Sequence, residues 1–123
     1  MRTLDSVITD EELGADPFVV IRRTYRQSQG EKELIDETQY ETVGTVHPAS
    51  PEDLQLLPEE YRSEQILIFH SPVPISLGGP LTETTFTAPD RILYRFRQYL
   101  AVSVRDWSAF GFCRALAVLQ REE

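Results

Sequence analysis

The stretch DRILYRFRQYLAVSVRDW (residues 90–107) decides between two folds for this chain. Its large apolar residues recur at helical spacing around Ile92, Phe96 and Tyr99, which is typical of a basic amphipathic helix. The same stretch is rich in β-branched and aromatic residues, and apolar residues alternate with others along both of its halves. We therefore predict a β-hairpin that turns at residues 96–98 and directs its arginines outwards.

Composition restricts the classes of protein to which the chain could belong. Its 123 residues suit one domain with a modest core. The net charge of −8 predicts repulsion from nucleic acid phosphates. No stretch approaches the roughly 20 apolar residues that cross a bilayer, and the N-terminus lacks the apolar region of a signal peptide, so we expect no membrane contact and a cytoplasmic origin. Cys113 is the single cysteine, which excludes an internal disulfide.

The rest of the chain also predicts strands joined by turns and loops. Residues 1–16 lack apolar periodicity and are predicted to form an extended N-terminal arm, which leaves residues 17–123 as one β domain. Tyr94 and Trp107 are expected in its core or at the rim of the core. The last predicted strand also has helical propensity. Strands are predicted at residues 18–26, 40–46, 65–70 and 112–120, with a polar hairpin connection around Gly30 and a long loop over residues 71–89 that holds a short extended piece at residues 84–87.

One short helix is predicted after the second strand. Ser50 is a good N-cap, Pro51 suits the first helical position, and Glu52 and Asp53 favour the positive end of a helix. Pro58 interrupts the element after about two turns. The fold class predicted is therefore mainly β, a small β-barrel with long loops and one short helical segment.

The residues that could carry chemistry are few and scattered. His47 and His70 lie at the ends of predicted strands without a metal-binding spacing between them, and a structural role is favoured for both. A metal site that joins His47 to Glu52 or Asp53 stays open as an alternative. Cys113 lies in an apolar run and is interpreted as a small buried hydrophobe. We expect no catalytic, cofactor or metal site, and therefore not an enzyme.

Arginine supplies every basic residue except Lys32. Because arginine pairs with carboxylates in a bidentate manner at protein interfaces, an arginine-rich and glutamate-rich chain is compatible with self-association. Arginines of two predicted strands, including Arg23 and Arg26, would form one basic face. The residues predicted to contact a neighbouring subunit are Arg22, Arg91, Arg95 and Arg97.

The order of the predicted strands and helix in residues 18–119 resembles that of the head-closure (stopper) proteins of tailed bacteriophages, a group of head-tail joining proteins. Two local patterns carry the resemblance. The chain departs from the group in having Phe96 where the hairpin commonly has glycine, and in its long loop over residues 71–89. The first pattern comprises Val46, Pro48, Ser50 and Glu52, and the second comprises Asp90, Ile92, Tyr94, Tyr99, Ala101 and Val102.

The resemblance implies a small β-barrel without enzymatic activity that forms a ring of six or twelve copies in the neck of the virion. The ring would lie below the portal and adaptor proteins and above the tail terminator and tail tube, close the DNA exit channel and offer the surface to which the tail attaches. DNA would pass without specific binding, and assembly would take place in the cytoplasm of the bacterial host. Two alternatives are a tail-completion (terminator) protein and a small β-barrel module that binds a peptide or an oligonucleotide.

Within the resemblance, the segment after the second strand would help to close the channel. Its apolar residues are expected to be buried against a neighbouring subunit when the ring forms, because they are too apolar for a segment that stays solvated. The residues assigned to this gate and subunit contact are Glu52, Asp53, Leu54, Leu56, Leu57 and Tyr61.

Overall fold

The computed structural model describes residues 15–55, 57–61, 65–107 and 111–120. This part of the chain forms an antiparallel sheet of eight strands with one short α-helix, which confirms the mainly β prediction. Residues 1–14 of the predicted N-terminal arm lie outside the described residues. The elements are β1 (Asp16–Ser28), β2 (Glu31–Pro48), α1 (Pro51–Gln55), β3 (Ile66–Ser71), β4 (Gly79–Pro80), β5 (Thr85–Thr87), β6 (Arg91–Tyr94), β7 (Arg97–Trp107) and β8 (Phe112–Leu119).

The pairing of the strands returns to the strand from which it starts. β1 pairs with β2, β2 with β3, β3 with β8, β8 with β7, β7 with β6, and β6 with β1. The sheet is therefore a barrel-like ring, as predicted, in which each of these strands has partners on both sides. β5 pairs with the outer part of β1, and β4 pairs with β5, beyond the ring.

An aromatic cluster around Phe69 fills the inside of the ring. The Phe69 side chain is fully buried, and its ring lies 5.3 Å from that of Phe18, 5.7 Å from Tyr94 and 5.8 Å from Tyr99, all in edge-to-face geometry. Tyr94 is therefore in the core, as expected, whereas the side chain of Trp107 lies outside the described residues. Small buried residues give the aromatic rings their space, namely Ala101, Ala115 and Ala117.

The strands β3 and β8 are buried on both faces. In β3, Leu67 and Phe69 belong to the inner cluster, and Ile66 and Ile68 belong to a second cluster on the outer face. A strand covered on both faces has a continuous apolar run instead of an alternating one. This is why the last segment of the chain was ambiguous between helix and strand by sequence, and the structure confirms the strand.

Two hairpin turns differ in place from the prediction. β6 and β7 join at Arg95 and Phe96, because Tyr94 pairs with Arg97 and leaves only two residues between the strands. β1 and β2 join at Gln29 and Gly30, so the predicted polar connection is itself paired strand. Backbone pairing needs no apolar residues, and the outer part of this hairpin is exposed on both faces, which removes the alternating pattern.

Candidate functional site

The helix α1 and the turn after it are held against the outer face of the ring. Ser50 and Asp53 cap the helix reciprocally: the Asp53 amide donates to Ser50 Oγ at 3.2 Å, and the Ser50 amide donates to Asp53 Oδ2 at 3.2 Å. Arg114 of β8 donates from Nη2 to Asp53 Oδ1 at 3.0 Å. The hydrogen bonds from Ser50 and then from Arg114 lower the pKa of Asp53 to about 2. The capping predicted from sequence is confirmed.

Within this segment, Leu57 is buried by its own chain, and Leu54 and Tyr61 are partly buried. Leu57 is 4% exposed and packs with Ile68 and Leu116 in the outer cluster, and Leu54 and Tyr61 pack against the same cluster. Burial against a neighbouring subunit when a ring forms stays a prediction for Leu54 and Tyr61, whereas Leu57 is already buried within its own chain. The reason is that the outer face of β3 and β8 is itself apolar. Leu56 lies outside the described residues, and the gate role of the segment, with exposed Glu52, stays a prediction.

Arg22 has an intramolecular role that the sequence did not reveal. Its guanidinium donates to both carboxylate oxygens of Asp90, from Nε at 3.1 Å and from Nη2 at 2.7 Å, and also to the Pro74 carbonyl at 3.0 Å. Asp90 is fully buried and accepts a further hydrogen bond from the Ser76 amide at 2.8 Å. This cluster ties the loop before β6 to β1. A subunit contact through Arg22 stays a prediction.

The turn between β6 and β7 presents the most exposed aromatic side chain in the described ranges. Phe96 has a relative exposure of 102%, and φ is +50° at Arg95 and +68° at Phe96. Arg95 lies 3.5 Å from Asp16, yet its side chain is 74% exposed, and Arg97 is also exposed. Arg91 is partly buried next to Gln98. Three of the four predicted arginines therefore lie on or beside one hairpin.

Two grooves flank Phe96. The first, the apolar groove, has a volume of about 540 Å³, and the second, the arginine groove, has a volume of about 610 Å³. Leu93 lies in the lining of both and is 37% exposed. Pro17, Val19, Val43 and the charged residues Glu41 and Arg95 also line the apolar groove, and Arg91, Arg97, Gln98 and Gln120 also line the arginine groove.

The two histidines are brought together by the pairing of β2 with β3. The rings of His47 and His70 stack at 5.3 Å, and Phe112 lies 5.6 Å from His70 on β8. Burial lowers the pKa of His70, and its electrostatic interactions with the nearby His47 and Arg114 lower it further. Within the described ranges no group of three or more His, Cys, Asp or Glu residues is placed to hold a metal ion. The Asp53 carboxylate binds Ser50 and Arg114.

Cys113 is buried in the inner cluster, which agrees with its interpretation as a small hydrophobe. Its sulfur accepts a hydrogen bond from the Ile75 amide at 3.3 Å and donates to the Val73 carbonyl at 3.5 Å. The thiol therefore helps to fix the loop after β3 against the ring. This position is structural, since the side chain packs among residues of the core.

The outer part of the β1–β2 hairpin (residues 26–37), which we name the hairpin tip, is a feature that sequence reasoning missed. It carries four carboxylates against two cations and exposes Leu34 by 48% and Ile35 by 39%. Ile35 is the extra residue of a β-bulge, since Thr24 pairs with Asp36 and Tyr25 pairs with Leu34. The signal available in the sequence was the adjacent apolar pair Leu34 and Ile35 in an otherwise polar stretch.

The comparisons with known proteins are sparse. No family model matches this chain. The chain is similar to an uncharacterized protein of Xylella fastidiosa (strain 9a5c), with 31% identity over 76 residues. The matched residues are 62% of this chain and 52% of that protein, so the chain spans about half the length of the curated relative that it matches. In the described ranges, none of the helices has the length and apolar content needed to cross a membrane.

Proposed function

We propose that the chain is a structural protein of the neck of a tailed bacteriophage, of the head-closure (stopper) type. In this role, a ring of six or twelve copies lies below the portal and adaptor proteins, closes the DNA exit channel and carries the surface to which the tail terminator and tail tube attach. Its work is mechanical, and it needs neither a catalytic residue nor a cofactor. Assembly takes place in the cytoplasm of the bacterial host.

The observation that carries this proposal is the closed ring of strands in the order of elements on which the resemblance rests. A strand hairpin is followed by a short capped helix, a buried strand, a long loop, a tight hairpin and a last strand. A closed strand ring is a rigid scaffold on which loops and hairpins can present contacts. The exposed hairpin tip and the exposed Phe96 turn are two surfaces suited to such contacts.

Charge supports the same proposal. The chain carries a net charge of −8, and Glu31, Glu33, Asp36 and Glu37 are exposed on the hairpin tip. DNA has to leave the capsid through the neck without being held there. Proteins bind DNA non-specifically by neutralising its phosphates with Lys and Arg, so an acidic surface favours free passage.

Deletion of the gene in a phage that encodes this chain tests the proposal. Without the protein, we expect DNA-filled capsids that lose their DNA and do not join tails, and we expect the full chain supplied in trans to restore infectious particles. Electron microscopy and DNA protection from nuclease measure both effects. Particles that retain DNA and carry tails of irregular length would indicate the tail-completion role instead. Normal tailed particles would overturn both.

A gel-shift experiment separates the neck protein from an oligonucleotide-binding module. We expect no retardation of short single-stranded or double-stranded DNA at low salt, where electrostatic binding is strongest. Binding at micromolar concentration that weakens steeply with added salt would contradict the proposal. Charge reversal of Arg95 and Arg97 to Glu is the matched control, because it removes the exposed cations of the turn.

A further inference from the structure

The turn of the β6–β7 hairpin is strained at a fully exposed position. Both turn residues have positive φ, +50° at Arg95 and +68° at Phe96. Turns of this kind ordinarily use Asn or Gly, because a side chain in the left-handed region costs roughly 1–2 kcal/mol per residue. The Phe96 side chain is not buried in the core, since its relative exposure is 102%. A strained backbone that holds an aromatic ring in solvent indicates a contact outside the monomer.

The surroundings of Phe96 define the chemistry of its partner. On one side lies the apolar groove, where Leu93 is 37% exposed, and on the other lies the arginine groove with Arg91 and Arg97. A partner that fits both must therefore present apolar side chains next to carboxylates. Exposed arginines favour carboxylate partners because the guanidinium offers two parallel donors.

The hairpin tip of this same chain has that chemistry. Leu34 and Ile35 are exposed by 48% and 39%, and they lie between the exposed carboxylates of Glu33 and Asp36. The bulge at Ile35 interrupts the pairing of β1 with β2 at this point. Bulges re-aim side chains and locally end regular pairing, which suits a contact surface.

One copy cannot make this contact with itself. Val19 lines the apolar groove, and Tyr25, which pairs with Leu34, lies six residues further along the same strand. At roughly 3.3 Å per residue, the groove and the hairpin tip are about 20 Å apart on one continuous strand. The two complementary surfaces are thus held apart along β1.

We propose that copies of this chain associate head to tail, with the hairpin tip of one copy lying in the two grooves beside Phe96 of the next copy. Leu34 and Ile35 pack against Leu93 and Phe96, and the carboxylates of the tip face Arg91 and Arg97. A contact between two different surfaces repeats from copy to copy and closes into a ring when the rotation permits. As the contact that builds the neck ring, it rests on the proposed function.

Disulfide trapping tests the contact in the full chain. A Leu34→Cys copy and a Gln98→Cys copy are mixed in equal amounts and oxidised, since Gln98 lines the arginine groove and its replacement keeps Phe96, and the unchanged chain is the control for Cys113. The matched control pair is Leu34→Cys with Leu77→Cys, since Leu77 is a similarly exposed leucine, at 44%, in a loop outside both grooves. We expect the mixed pair to form covalent dimers at least about tenfold faster than the control pair. Equal rates would overturn the head-to-tail contact.

Charge exchange gives an independent measurement. Arg97→Glu in the Gln98→Cys copy should slow trapping, and Glu33→Arg in the Leu34→Cys copy should restore it, because the pair is then reversed in sign. Failure of the second change to restore trapping would contradict the assigned pairing.

The outcomes also separate this contact from the neck function. If trapping is rapid but the gene deletion leaves particles normal, the head-to-tail contact is supported and the neck function is overturned. The contact would then belong to another kind of assembly. If capsids leak DNA after the deletion but trapping is no faster than in the control pair, the neck function is supported and the head-to-tail contact is overturned.

Discussion

The residues next to the two ends of the short strand β6 differ in burial. At its start, Asp90 is fully buried and accepts hydrogen bonds from Arg22 and Ser76 of the same chain. At its end, Phe96 stands in solvent on a turn whose φ values are unfavourable for its residues. The difference teaches that the first end serves the fold, whereas the second end costs stability and is the place where we propose a contact with another copy.

The largest expected effect is at the buried end. Asp90→Ala removes the two carboxylate oxygens to which the Arg22 guanidinium donates, one of which also accepts from the Ser76 amide. We expect the free energy of unfolding to fall by about 3–5 kcal/mol, because the partly buried Arg22 guanidinium and the Ser76 amide both lose their acceptor. Urea denaturation measures this. Glu37→Ala is the matched control, since it breaks the exposed ion pair with Arg23, and little change is expected. Equal effects would show that burial does not distinguish the two carboxylates.

A pair of leucines extends the comparison to apolar residues. Leu57 is 4% exposed under α1, and Leu93 of β6 is 37% exposed in the groove beside Phe96. Leu57→Ala should lower the free energy of unfolding by about 2–4 kcal/mol through the lost contacts and the cavity that remains. Leu93→Ala should change it by less than about 1 kcal/mol. Thermal or chemical denaturation measures both changes. A small effect at Leu57 would mean that the segment after β2 is not part of the fold.

The strained end should respond in the opposite direction. Phe96→Gly removes a side chain from the left-handed region and should raise the stability by roughly 0.5–1 kcal/mol, after the entropy cost of glycine is subtracted. Gly30→Ala is the reciprocal change in the other two-residue turn, at φ +81° with open space around the added Cβ. It should lower the stability by about 1 kcal/mol.

A second variant separates strain from contact. Phe96→Gly should abolish the head-to-tail association although it stabilises the monomer, and Leu77→Ala, at an exposed leucine outside both grooves and the hairpin tip, should leave the association intact. Chemical denaturation gives the first property, and the rate of disulfide trapping between a Leu34→Cys copy and a Leu93→Cys copy gives the second. Destabilisation by Phe96→Gly would show that Phe96 supports the fold.

The smallest expected effect depends on pH and concerns the helix cap. The folded pKa of Asp53 is lowered to about 2 from 3.8, so its contribution is present above about pH 4 and is lost as the pH falls towards 2. We expect at most about 1 kcal/mol, because the pair with Arg114 lies near the surface. Denaturation of the unchanged chain and of Arg114→Gln over this range measures the effect. The variant should lose less stability on acidification, and an identical loss would contradict the assignment.

Much of the local structure was determined by the sequence itself. The cap at Ser50 and Asp53, the strand around Phe69, the strand character of residues 97–107 and the outward position of Arg97 follow from residue types and spacings within a few positions. These features depend on the backbone and its nearest neighbours along the chain. Local patterns therefore contain the information needed to predict them.

The tertiary structure alone decided which residues serve the fold and which are left exposed to solvent. Arg22 and Asp90 are 68 residues apart in the chain and meet only because β6 pairs with β1 and closes the ring. Arg22 and Arg97 look equivalent in the sequence, yet the closure gives the first a buried carboxylate and leaves the second in solvent. Ring closure depends on contacts summed over the whole chain, so no local pattern records which carboxylate an arginine will meet.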